Sequence, residues 1–191
     1  MSEHGPAVRA LIAGGHLAQA TELIRALSLT GLPLSQLNLY RVIWPGAPLA
    51  GAQLQRANLR SASFRGAELP GACFRKAHLD GADLSGADLT EAVFTGAAMS
   101  GTDLSTASLL RVRLQGVDLA RARLVSSDLR GANLRQCGLR RADFTGADLC
   151  GADLSGALHW EDARWRGCIW SAQTRWMAGW TDRHASETHY R

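Results

Sequence analysis

Aromatic residues make up only 6% of this 191-residue chain. Charge of neither sign dominates, with 21 Lys and Arg against 17 Asp and Glu, a formal net charge of +4. The first shortage means that any core is built from small and medium side chains. The second falls well short of the concentrated positive field of a dedicated nucleic-acid binder. No run approaches the roughly 18 apolar residues of a membrane span. The start, Met1-Ser-Glu-His-Gly-Pro, has no basic segment followed by an apolar one, so no secretory signal is expected. Cys73, Cys137, Cys150 and Cys168 are 64, 13 and 18 residues apart, which fits neither a disulfide framework nor a metal-binding pair. A reducing cytoplasm is the expected location. Walker loops, GxSxG, HExxH and GxGxxG are missing. His184 and His189 with Cys168 match no zinc spacing, so no metal or cofactor is expected. Yet 46% of residues are apolar, too many for a disordered chain, and the length suits one domain with small appendages.

What is present is a period of five. Of the 25 positions taken every fifth residue from Leu34 to Leu154, 19 are Leu and four are Phe (Phe64, Phe74, Phe94, Phe144), with Trp44 and Met99 completing the set. Two residues before each centre, 17 of 25 positions are Ala, and the rest are small or apolar. Two residues after a centre Gly recurs, as at Gly66, Gly86 and Gly146. On an α-helix, five residues turn about 500°, so successive centres share no face. On a continuous strand an odd period would alternate faces. One backbone remains. The Ala and Leu of each unit point inward along a short extended segment, and the following residues turn a corner where Gly gives access to positive φ. Four units close a square coil of twenty residues, and coils stack at about 4.8 Å.

Units such as Ala82-Asp-Leu-Ser-Gly86, Ala87-Asp-Leu-Thr-Glu91, Ala147-Asp-Leu-Cys-Gly151 and Ala152-Asp-Leu-Ser-Gly156 resemble the A(D/N)LxG motif of pentapeptide-repeat proteins. The resemblance covers 32 to about 172 and implies that family's right-handed quadrilateral β-helix, an all-β solenoid. Each stacked coil needs a neighbour, so both ends need caps.

The expected organisation is a helical cap over 1–31, the β-helix over 32–172 and a cap or dimerisation tail over 173–191. Residues 6–29 carry no five-residue period, and Leu17, Ala20, Leu23, Ile24 and Leu27 have near-helical spacing with Gly31 just beyond as a stop, so a short helical pair, Pro6–Ala13 and His16–Ser28, is expected. At the other end the register shifts by one near Ala157–Leu158, with Leu158/Trp160, Ala163/Trp165 and Cys168/Trp170 expected as the next inward pairs. Five of the six Trp lie in the last 32 residues. Either they plug the last coil, or Trp165, Trp170, Trp176 and Trp180 form a homodimer seam, since clustered indoles are costly to leave in water. The resemblance supports the second option, because some members dimerise through a C-terminal segment.

Numbering the walls from the centres 34, 39, 44 and 49, walls one and two hold ten bases against three acids over 31–160, and walls three and four hold eight acids against four bases. The acidic side carries Asp83, Asp103 and Asp143 on wall three and Glu68, Asp88, Asp128 and Asp148 on wall four. A filled interior leaves no water-excluding pocket, so catalysis is not expected. The expected role is a non-catalytic scaffold that binds a protein partner through a charged wall. The resemblance adds one alternative: some members mimic duplex DNA, bind type II topoisomerases such as gyrase, and protect them from quinolones or natural poisons. This chain departs from those in being net basic, in having Leu rather than Phe at most centres and in lacking an inserted loop. A second alternative is nucleic-acid binding through the basic side, with Arg121, Arg140 and Arg141.

Overall fold

The computed structural model describes residues 4–27, 30–180 and 189–191. Two helices open the chain, α1 (Gly5–Ala13) and α2 (Leu17–Leu27), the second ending just before residues that lie outside the described set. From Pro33 onward the chain forms a ladder of isolated parallel bridges that join residues twenty apart, from Pro33–Gln53 to Gly138–Leu158. Each bridging residue is the outward one between an inward Ala and an inward Leu. Each wall therefore contributes a single bridge residue per coil, and regular strands are scarce.

The inward positions make one continuous core. All 25 centres from Leu34 to Leu154 are buried, as are all 25 of their inward partners, 17 of them Ala. Where the Ala position holds a polar group, the backbone satisfies it. The Thr102 hydroxyl donates to the Leu79 and Met99 carbonyls at 3.0 and 2.8 Å, and the Ser127 hydroxyl to Leu124 at 2.8 Å. Aromatic centres stack along the axis: Phe74 lies parallel to Phe94 at 4.6 Å, and Phe144 parallel to Trp165 at 4.5 Å. Corners adopt positive φ throughout, including non-glycine ones such as Arg121 (59°) and Arg141 (57°).

The helices pack on the first coil through Val8, Ile12, Ala20 and Ile24. In the ladder, each outward carbonyl accepts from the coil before it, and the first coil has none before it. One guanidinium fills that place, with Arg9 Nη1 donating to the Pro33 and Ser35 carbonyls at 3.0 and 2.7 Å. The Trp44 indole donates to the Thr21 hydroxyl at 2.7 Å, tying α2 to the same coil.

The far end departs from the expected register. Leu158 does not turn inward: it is the outward partner of Gly138 and is 57% exposed. The extra residue falls after it, where His159 takes a left-handed conformation (φ 56°) and Trp160–Asp162 forms a short 3-10 turn. Asp143 then pairs with Arg164 and Asp148 with Ile169, twenty-one apart. A second extra residue, not anticipated from the sequence, makes the next pair Asp153–Arg175, twenty-two apart. Strand β1 (Ile169–Trp170) receives β2 (His189–Tyr190) in parallel, so the chain's last described residues cover the final coil.

Candidate functional site

The ladder explains why Asp and Asn occupy outward positions. At Asp83, Asp88, Asp103, Asp128, Asp143 and Asp148, Oδ1 accepts the backbone N–H two residues on, at 2.9–3.1 Å. Asn38, Asn58 and Asn133 make the equivalent contact. The side chain bridges the corner as an Asx turn. One carboxylate oxygen is thereby committed to the backbone and the other faces outward.

All seven acidic candidates stand on two adjoining ladders. Asp83 pairs with Asp103 on wall three, where Arg123 then separates Asp103 from Asp143. Glu68 pairs with Asp88 on wall four, followed by Ser108, Asp128 and Asp148. Arginines neutralise much of this side. Arg123 reaches Asp103 at 3.8 Å, Arg130 reaches Asp128 at 2.6 Å, Arg164 reaches Asp143 at 3.4 Å and Arg191 reaches Asp148 at 3.3 Å. Arg164 and Arg191 lie beyond 31–160, the span over which acids outnumber bases on these two walls. The signal was there for Arg164: it stands twenty-one residues after Asp143, one coil plus the extra residue. Among the described residues, Glu68, Asp83 and Asp88 have no ion pair; Glu68 and Asp88 are bridged on neighbouring coils of wall four, and Asp83 stands on wall three of the same coil as Asp88.

The carboxyl shifts follow the geometry. The Arg130 guanidinium, hydrogen-bonded to Asp128, holds that carboxyl below the usual carboxylate range. Partial burial opposes ionisation of Asp143, but hydrogen bonds from Thr145 and the charge of Arg164 outweigh it and lower its pKa. Asp153 behaves likewise through Ser155, Arg135 and Arg175. All four cysteines are free, and burial pushes the Cys137 and Cys168 thiols up to about 12. No group of three or more His, Cys, Asp or Glu among the described residues is arranged to hold a metal, and His184 lies outside that set.

The indoles named for the seam gather at one end of the rod. Trp176 stacks on Trp180 at 3.8 Å, and Trp165 meets both edge-on at 5.8 and 5.4 Å. Trp170 meets Trp176 at 6.1 Å and the Tyr190 ring at 4.9 Å. Trp165 is buried, and its Nε1 donates to the Trp160 carbonyl at 3.1 Å.

On the basic side, Arg121 and Arg141 occupy the same corner on successive coils. With Arg123, Arg164, Asp143 and Asp162 they line a cleft of about 640 Å³ between walls two and three. Arg140 lies next to this corner, its carbonyl accepting from the Arg121 N–H at 2.8 Å.

The sequence model for pentapeptide repeats matches in eight copies across 46–81, 72–116, 87–124 and 118–156. The chain belongs to the pentapeptide repeat family. Its members fold as right-handed quadrilateral β-helices, in accord with the twenty-residue ladder. HetL, a pentapeptide repeat protein involved in heterocyst differentiation regulation from the cyanobacterium Nostoc sp. strain PCC 7120, has a similar structure (TM-score 0.63). It is 22% identical over 86% of this chain and 90% of HetL, and supports the fold. Rfr23 from the cyanobacterium Cyanothece 51142 is 34% identical over 47% of this chain and 63% of its own, with a TM-score of 0.37. Trypsin-treated QnrB1, a plasmid-mediated fluoroquinolone resistance protein, is 18% identical over 74% of this chain and 80% of its own, with a TM-score of 0.45. No curated protein matches the sequence.

Proposed function

We propose that this pentapeptide repeat protein is a non-catalytic scaffold that binds a protein partner through walls three and four. The observation that carries the reading is the contrast between a filled interior and two adjoining walls where Glu68, Asp83 and Asp88 have no ion pair among the described residues. The partner presents a basic surface to this patch. The other four acidic candidates, Asp103, Asp128, Asp143 and Asp148, serve corners and ion pairs first and border the contact.

In this reading residues 1–31 close one end, 32–172 form the rod and 173–191 close the other. The mutual stacking of Trp165, Trp170, Trp176 and Trp180 supports a plug for the single chain over a seam between two copies. The partner can be a type II topoisomerase, as the family resemblance suggested.

The test uses the triple variant Glu68→Gln, Asp83→Asn, Asp88→Asn, which removes three charges while Asn keeps the corner acceptors. Wild type and variant are compared for partner capture from extract, and for effect on gyrase supercoiling and poison-induced cleavage. Capture by the wild type that the variant loses is the expected result. Equal capture by both sinks the acidic patch as the contact. Gyrase activity unchanged by wild-type protein removes the topoisomerase as that partner.

A further inference from the structure

We propose that the cleft at the corner of walls two and three binds the dianionic phosphate of a small phosphomonoester of nucleotide size. This site is separate from the acidic patch and does not depend on the partner reading. Four guanidiniums line it, those of Arg121, Arg123, Arg141 and Arg164, against two carboxylates, Asp143 and Asp162, a balance of 4 − 2 = +2.

The four arginines are not equivalent. Arg123 and Arg164 are engaged with Asp103 and Asp143 at 3.8 and 3.4 Å. Arg121 and Arg141 have no ion pair among the described residues, although they share one corner on successive coils. Their backbones are held about one strand spacing apart, roughly 4.8 Å. Two cations carried on neighbouring coils at one corner repel each other, and an anion between them removes the repulsion. Planar guanidiniums match the oxygens of a phosphate in bidentate fashion.

The register break builds the cleft. A regular coil would carry a flat corner above Arg141. Instead His159 turns left-handed, and the Trp160–Asp162 turn brings Asp162 to the rim before Arg164 rejoins wall three opposite Asp143. From the Pro33–Gln53 bridge to the Gly138–Leu158 bridge, stacked corners continue without interruption.

Charge and size select the occupant. A phosphomonoester carries about −1.5 to −2 near neutral pH and balances the site, whereas each phosphodiester of a nucleic acid carries about −1. The volume of about 640 Å³ exceeds what a phosphate ion fills. It falls within the roughly 300–1,000 Å³ of small-molecule sites.

The experiment is calorimetric titration of the full chain at low salt with adenosine monophosphate, inorganic phosphate, adenosine and a short DNA duplex. Adenosine monophosphate and phosphate are expected to bind, the nucleotide more tightly, and adenosine to give no heat. Arg121→Gln with Arg141→Gln is expected to weaken the nucleotide by at least about tenfold, with unchanged thermal unfolding as the control for folding. Asp162→Asn removes a rim carboxylate and is expected to tighten binding. No heat with either phosphate, or equal affinity in the double variant, overturns the proposal. So does a duplex that binds more tightly than the nucleotide through the same two arginines, which would make the corner a nucleic-acid contact.

Discussion

The middle of the rod and its C-terminal end solve the same problem with different materials. Up to the Gly138–Leu158 bridge, each coil returns after twenty residues, and its interior is mostly Leu and Ala. Beyond it the return takes twenty-one and then twenty-two, and Trp160 and Trp165 are buried with Cys168, Thr174 and Met177 while Trp170, Trp176 and Trp180 pack half-buried around them. Spacing along the chain can thus change while the ladder persists, because only the inward pair and the outward carbonyls must realign. The extra length is absorbed at corners, and larger rings close an end that has no further coil. At the N-terminal end the same vacancy is met by Arg9 and two helices.

The largest test of this contrast is ring deletion. Phe94→Ala removes a fully buried ring from a stack in the middle and is expected to cost about 3–5 kcal/mol. Trp176→Ala, at the partly exposed end, is expected to cost less, about 1–3 kcal/mol. Chemical denaturation of both variants decides it. Equal losses would mean that the tryptophan end is packed as firmly as the middle.

A corner pair gives a smaller effect of opposite sign. Gly101 has φ 66° with no atom within 4 Å of an added Cβ, so Gly101→Ala isolates the conformational cost, about 1–2 kcal/mol. His159→Gly relieves the same left-handed strain at the register break and is expected to raise the midpoint slightly. A destabilised His159→Gly would show that the side chain, not the backbone, holds that turn.

The smallest effect is electrostatic. The native carboxyls of Asp128 and Asp143 titrate below the unfolded value of about 3.9. Their contribution is therefore present above that value and is lost as pH falls through the lower native ones. Arg164→Gln, at the end, is expected to raise the Asp143 value and leave Asp128 in place, as read by carboxyl NMR titration. If both move together, the ladder carries charge effects between coils that the pairwise contacts do not explain.

Much of this was legible in the residues. The alternation of Ala and Leu centres with period five required inward pairs and corners, since neither helix nor continuous strand puts those residues on one side. The second helix was visible in the spacing of Leu17, Ala20, Ile24 and Leu27. The Asx role of the outward aspartates was not, because a carboxylate on a solvent-facing position reads equally as charge for a partner or as an acceptor for the corner N–H.

The sequence by itself determined the coil, because a strict period selects which side chains face inward before any coil has a neighbour. Tertiary structure alone decided where the charges cancel and where a cleft opens. Those depend on which residues stand one coil apart, and each extra residue after Leu158 shifts that correspondence. Arg164 met Asp143, Asp162 came to the rim of the cleft with Arg141, and Glu68, Asp83 and Asp88 were left without an ion pair among the described residues only once stacking brought residues twenty or twenty-one apart side by side.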